Sequence, residues 1–126
     1  MTLTGQETLS VLLRQLSKEL HATSRGKGWW HDRDKLALTK AGQVHVDIGC
    51  LALCITELSE AIENVRAGYT PDDKVPQYSG LEAELADTII RIMDFAAARN
   101  LNVVGALFAK SEMNKGRAHR HGGKLA

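Results

Sequence analysis

Glu57 and Glu60 stand three residues apart in a strongly helical stretch, and Glu84 and Asp87 repeat that spacing in the next one. Residues at i and i+3 share a helix face about one turn apart. Two neighbouring helices carrying such pairs can therefore bring four carboxylates together. Carboxylate oxygens bind hard cations, and Mg²⁺ suits this set, because it takes one or two carboxylates per ion and leaves its other positions to water and phosphate oxygens. Mn²⁺ is the natural substitute. An acidic face opposite an apolar stripe is ordinarily just solvated. Here the pattern recurs on a second helix after a long connection, and Leu53 and Ile90 lie beside the acids. Such two-sided helices call for cover by a second chain or a substrate.

Other residues complement an acidic metal centre. Lys110, Asn114 and Arg117 fall at i, i+4 and i+7, so they line one helical face and can grip phosphate oxygens. Lys115 and Lys124 are second in rank. The plainer reading is a solvated basic helix end, which the dipole favours. Trp29 and Trp30 follow a Gly-rich turn, with His21 before it and His31 after. An indole stacks on a nucleobase for about 1–3 kcal/mol. One of the two is expected to pack in the core and the other to meet a base, with a slight lean toward purines; His21 and Tyr69 are the next choices. His45 reads as a helix-start residue. Arg91 and Asp94 extend the acidic face of their helix, pairing with each other or with neighbours, and Asp94 is placed to support a ligand from behind.

Four helical segments must position these groups. The first runs from about Thr4 to Thr23, opened by a capping box at Thr4–Glu7 and carrying Leu9, Leu12, Leu13, Leu16 and Leu20 at helical spacing. Ser24 to Gly28 ends it, and the stretch from Trp29 to Gly42 reads as irregular, with one short turn at Leu36–Thr39. The second runs from about Val44 to Ala67, where Ile48, Leu51, Ile55, Leu58, Ile62 and Val65 form a narrow stripe expected to face the core. Gly68 is the expected stop. Residues 68–80 hold both prolines and form a long connection of the mobile or functional kind. The third helix spans about Leu81 to Arg99, with Leu81, Leu85, Ile89, Ile92 and Ala96 as its core face. Asn100 stops it, and Asn102 caps a fourth helix from about Val103 to Arg117. There is no β-type alternation and no repeat. The expected fold is all-α, a four-helix-bundle-like domain over residues 1–126 with a basic tail at 118–126.

Composition narrows the possibilities. A chain of 126 residues with 44% hydrophobic content suits one domain with a core. Its formal net charge of +1 excludes a general nucleic-acid binder. Cys50 and Cys54, four apart on one helix, lack disulfide geometry and have no partners for a zinc site, so they read as small core residues of a reducing compartment. No apolar run approaches the ~20 residues of a bilayer span, and no signal pattern opens the chain. The expected location is cytoplasmic, with no membrane partner.

The strings Glu57-Leu-Ser-Glu-Ala-Ile-Glu63 and Glu84-Leu-Ala-Asp-Thr-Ile-Ile90 resemble the paired ExxE and ExxD motifs of the MazG-like all-α NTP pyrophosphohydrolases. Lys110-Ser-Glu-Met-Asn114-Lys-Gly-Arg117 is similar to the basic fourth-helix motif of that family, and His121-Gly-Gly-Lys124 to the tail of small stand-alone members of phages and mobile elements. Each motif alone is weak; together, over residues 44 to 124 and in this order, they are specific. The resemblance implies a homodimer or homotetramer whose Glu57, Glu60, Glu84 and Asp87 hold Mg²⁺ against a nucleoside triphosphate. The reaction would yield a monophosphate and pyrophosphate from (d)NTPs, deoxynucleotides above all, and would adjust the nucleotide pool. Mg²⁺ would screen the triphosphate and acidify the attacking water, with Glu57 or Glu60 accepting its proton. Two other readings stand beside it: a phosphoribosyl-ATP pyrophosphohydrolase, and a non-catalytic helical oligomer that binds a nucleotide or a protein.

Overall fold

The computed structural model describes the backbone of residues 3–126 and the side chains of residues 5–126. The chain is all-helical: α1 (Leu3–Gly26), α2 (His31–Leu36), α3 (Lys40–Arg66), α4 (Gly80–Ala98), α5 (Val103–Lys115) and the short α6 (Arg120–Gly123). Helix α1 already includes Thr4 in its first turn; the side chain of Thr4, the expected cap, lies outside the described residues. Several boundaries follow from capping chemistry. Thr39 caps α3 by accepting the Gly42 N–H, and Asn102 caps α5 by accepting the Gly105 N–H. Ser79 and Glu82 form a full capping box at the start of α4. Gly68 and Asn100 take positive φ just past α3 and α4, which satisfies the last carbonyls by turning the chain back.

The segment between Trp29 and Gly42 is more ordered than its sequence pattern suggests. Its helical turn lies at His31–Leu36 and not at Leu36–Thr39. The periodicity missed it because six residues with alternating charges show no apolar repeat. The connection after α3 is also not structureless. Pro71 and Ser79 form an antiparallel bridge, and Asp72 accepts the N–H groups of Lys74 and Val75 at 2.9 Å each. Asn64 then clasps both ends of this loop, donating to the Thr70 carbonyl at 3.1 Å and accepting the Leu81 N–H at 2.8 Å. A side chain at Gly80 would collide with that Asn64 amide, so the clasp requires glycine there.

Helix α4 lies between α3 and α1. Asn64 meets Leu81, Glu57 meets Arg91 and Asp47 meets Arg99, so α3 and α4 run antiparallel. On the other side Ser17 donates to the Met93 carbonyl at 2.6 Å and Arg14 to Asn102 at 3.1 Å. The buried face of α3 is Val46, Cys50, Cys54, Glu57 and Ala61, and that of α4 is Gly80, Thr88 and Ala96. These are mostly small residues, which let two helix backbones approach closely. Cys50 and Cys54 are free and buried as expected, and burial pushes both thiols up.

The expected core stripe of α3 is placed otherwise. Ile48, Leu51, Ile55, Leu58, Ile62 and Val65 are all exposed, as are Leu85, Ile89 and Ile92 of α4 and Leu9, Leu12 and Leu16 of α1. Ranking positions by aliphatic size assigns the largest side chains to the core, whereas this chain packs its helices through the small ones. By length and composition alone α3 even meets the requirement for a helix that crosses a membrane. Its face toward α4 carries Glu57 and the Arg91 contact, as in a helix packed against protein.

Candidate metal centre

The packing of α3 against α4 puts Glu57 inside the chain, at 8% exposure, about two thirds of the way along α3. Glu60 follows one turn later, and Glu84 faces both from the first half of α4. Oxygen atoms of Glu57, Glu60 and Glu84 lie within 4.8 Å of one another. Asp87 is exposed and stands outside this group of three, although the charge of Glu57 reaches it. Arg91, one turn beyond Asp87 on α4, donates its Nε–H to Glu57 Oε1 at 2.6 Å.

The electrostatics of the cluster are unequal. Burial pushes Glu57 upward, but the Arg91 hydrogen bond and those shared with Glu84 and Glu60 outweigh it, and its carboxyl sits below the usual range. Burial, the hydrogen bond with Glu57 and the charges of Glu60 and Glu57 push Glu84 up to about 7. Asp87, although its surface is largely open, is raised as well, by partial loss of solvent around its carboxyl and by the charge of Glu57. One oxygen of Glu84 is buried without a hydrogen-bond partner among the described residues. Carboxylates at this spacing offer only acceptors to one another, so a proton or a cation must lie between them. A hard divalent cation fits the oxygen-only donor set.

The aromatic candidates separate. Trp30 is 1% exposed, while Trp29 next to it is 67% exposed. Trp30 donates Nε1–H to both oxygens of Asp94, at 3.0 and 3.2 Å, and His21 meets Asp94 through Nδ1 at 2.6 Å. The His21 and Trp30 rings pack edge to face with centroids 5.2 Å apart. Arg25 donates to His21 Nε2 at 2.9 Å and pairs with Asp34 at 2.6 Å. Both nitrogens of His21 are thus engaged and the indole of Trp30 is enclosed, so neither has a free face for a base. Trp30 is the tryptophan that packs. Asp94 supports Trp30 and His21, not a carboxylate of the cluster, and sequence reasoning missed this network because its members are far apart in the chain. Replacing Trp30 by alanine should cost about 3–5 kcal/mol, as for other buried large-to-small changes. Urea unfolding monitored by circular dichroism checks this, and an unchanged midpoint would show that the indole is not structural.

The basic candidates are not brought to the carboxylates within one chain. Lys110, Asn114, Lys115, Arg117 and Lys124 are all exposed. Lys115 pairs with Glu112 at 2.7 Å and Arg117 approaches His121 at 3.1 Å. Among the described residues no hydrogen bond or ion pair links this set to Glu57, Glu60, Glu84 or Asp87. A different basic residue does reach the site, namely Arg91. An open, mostly apolar groove of about 350 Å³ also runs along α3 beside α2, its lining including Leu36, Val46, Gly49 and Leu53 with Arg33 and His45. Comparison of the chain with family models, with curated proteins and with solved structures finds no match.

Proposed function

We propose that this chain is a Mg²⁺-dependent nucleoside triphosphate pyrophosphohydrolase of MazG-like type, cutting (d)NTPs to a monophosphate and pyrophosphate. The observation that carries the reading is the convergence of Glu57, Glu60 and Glu84 from two antiparallel helices onto one point. Those residues, with Asp87 at the margin, would hold the cation. When bound, Mg²⁺ screens the triphosphate charge and makes a coordinated water more acidic.

The chain's own residues have distinct tasks in this scheme. Arg91 fixes the rotamer of Glu57 and offsets one negative charge of the cluster. Glu60 is exposed and carries no ion pair among the described residues, which leaves it the freer of the two candidate bases to accept a proton from water. Trp29, projecting from the turn before α2, has an open indole face for a base. The large uncovered apolar surface supports a homodimer or homotetramer, in which a second copy closes the bundle.

The test is incubation with each common ribo- and deoxynucleoside triphosphate, and with phosphoribosyl-ATP, followed by detection of pyrophosphate. Release is expected with Mg²⁺ and not with excess EDTA, and no release from any of these substrates would overturn the reading. Trp29→Ala should raise the Michaelis constant by roughly one to two powers of ten with little change in turnover number, since stacking lies away from the α-phosphate. An unchanged Michaelis constant would remove Trp29 from the base site.

A further inference from the structure

Four arginines surround Trp30 and the cleft beside it, and three of them are matched by an acid. Arg25 pairs with Asp34, Arg99 with Asp47 and Arg91 with Glu57. Arg33 has no carboxylate partner among the described residues. Its guanidinium lies over the Trp30 ring, 4.9 Å from the centroid, nearer than those of Arg25 or Arg99. Arg91 uses only Nε on Glu57, so both of its terminal nitrogens remain to donate elsewhere. Arg33 and Arg91 line the same notch, together with Trp30, Leu53, Asp94 and Phe95. Its volume of about 10 Å³ is the room of one oxygen-sized group.

We propose that Arg33 and Arg91 form an anion clamp, beside the carboxylate centre, that takes one phosphate oxygen of a polyphosphate chain. A guanidinium presents paired donors that match phosphate oxygens, and its cation–π contact with an indole consumes none of them. Asp94 adds one negative charge to the notch against the two arginines, so its lining keeps a net positive charge. Arg91 touches Glu57 and the notch at once, so a polyphosphate held there lies alongside any cation bound by Glu57, Glu60 and Glu84. The groove along α3 also reaches Arg33 and Leu53, which gives the remainder of such a ligand an apolar path away from the charges. The clamp rests on the pyrophosphohydrolase reading for its ligand class; the arginine geometry is independent of it.

Calorimetric titration of the full chain with inorganic pyrophosphate tests this, first in EDTA and then in Mg²⁺. Arg33→Gln should weaken pyrophosphate binding by about 10- to 100-fold in both, as for loss of hydrogen bonds to a charged group, and Arg33→Lys should restore part of it. Titration of Mg²⁺ alone should give the same affinity in the parent chain and in Arg33→Gln. Equal pyrophosphate binding by parent and Arg33→Gln, or none by the parent in EDTA, overturns the clamp. If no chain binds Mg²⁺ while pyrophosphate binding still depends on Arg33, the metal reading falls and the clamp stands. Should Arg33→Gln fail to fold, a Trp29→Phe chain with Trp30 as its sole tryptophan decides the matter. Pyrophosphate drawing Arg33 toward itself changes the emission of that indole, and a constant spectrum at saturation would overturn the proposal.

Discussion

Glu84→Gln should melt at a higher temperature than the parent chain in EDTA at pH 8, yet with Mg²⁺ present it should release pyrophosphate at less than about a hundredth of the parent's rate. The two effects have one cause. Folding raises the Glu84 carboxyl from 4.5 to about 7, so the folded chain binds that proton more tightly than the unfolded one. Its contribution to stability is therefore present at low pH and is lost as pH rises through that window. Above pH 7 the parent holds Glu84 charged against Glu57 and Glu60, and a neutral amide removes the repulsion. The melting difference should shrink toward pH 5, where the parent carries its own proton. Mg²⁺ should close the gap from the other side, by stabilising the parent at pH 8 and not the variant. Glu57→Gln should lose turnover too, but without any gain in stability, because Arg91 is left facing an amide. Glu60→Gln and Asp87→Asn should lose turnover and melt slightly higher at pH 8, by less than Glu84→Gln, because Glu60 is one of the charges that press on Glu84 and Asp87 is itself raised by Glu57. Equal melting of parent and Glu84→Gln in EDTA at pH 8 would show that Glu84 is not strained by its neighbours.

What the sequence made legible divides along physical lines. The four long helices followed from local chemistry that a short window contains, as the six-residue α2 did not: the cap at Asn102 and the stops at Gly68 and Asn100 fall where expected. The i, i+3 acid pairs were legible for the same reason, since spacing on one helix fixes a shared face. The facing of α3 was not. A stripe of large aliphatics and a stripe of Val46, Cys50, Cys54 and Ala61 share the same helix, and periodicity alone does not say which meets the chain's own partner and which meets another molecule. That error carried the acids with it: Glu57 was expected on a face away from the core, and it lies within it. Long-range polar networks were beyond reach as well. Asp94 collects His21 and Trp30 across a separation that no motif spans.

Ile55→Glu should dissociate the assembly that the parent chain forms at micromolar concentration. The single chain exposes 9355 Å², whereas a folded monomer of 13.8 kDa is expected to expose about 6,600 Å². The excess, roughly 2,700 Å² per chain, exceeds what one protomer gives to most dimer interfaces. The exposed residues include a row of aliphatics along α3, from Val44 to Val65, and Leu85, Ile89 and Ile92 of α4. Contiguous apolar area on this scale marks an association surface. Ile55 is 65% exposed near the centre of that stripe, so a carboxylate there disturbs little within one chain. In a symmetric dimer through this face, however, it buries two like charges without partners. Sedimentation equilibrium should therefore show a dimer or tetramer for the parent and a smaller species for the variant. The variant's melting temperature should fall as well, since a chain that leaves so much apolar surface wet keeps little stability of its own. An unchanged mass for Ile55→Glu would move the interface to another face, and a monomeric parent would overturn the assembly altogether. A smaller but folded variant would separate the two roles of α3, because Glu57, Glu60 and Glu84 converge within one chain. Mg²⁺ affinity should survive dissociation, while any loss of pyrophosphate release would then report the part of the site that a second copy supplies.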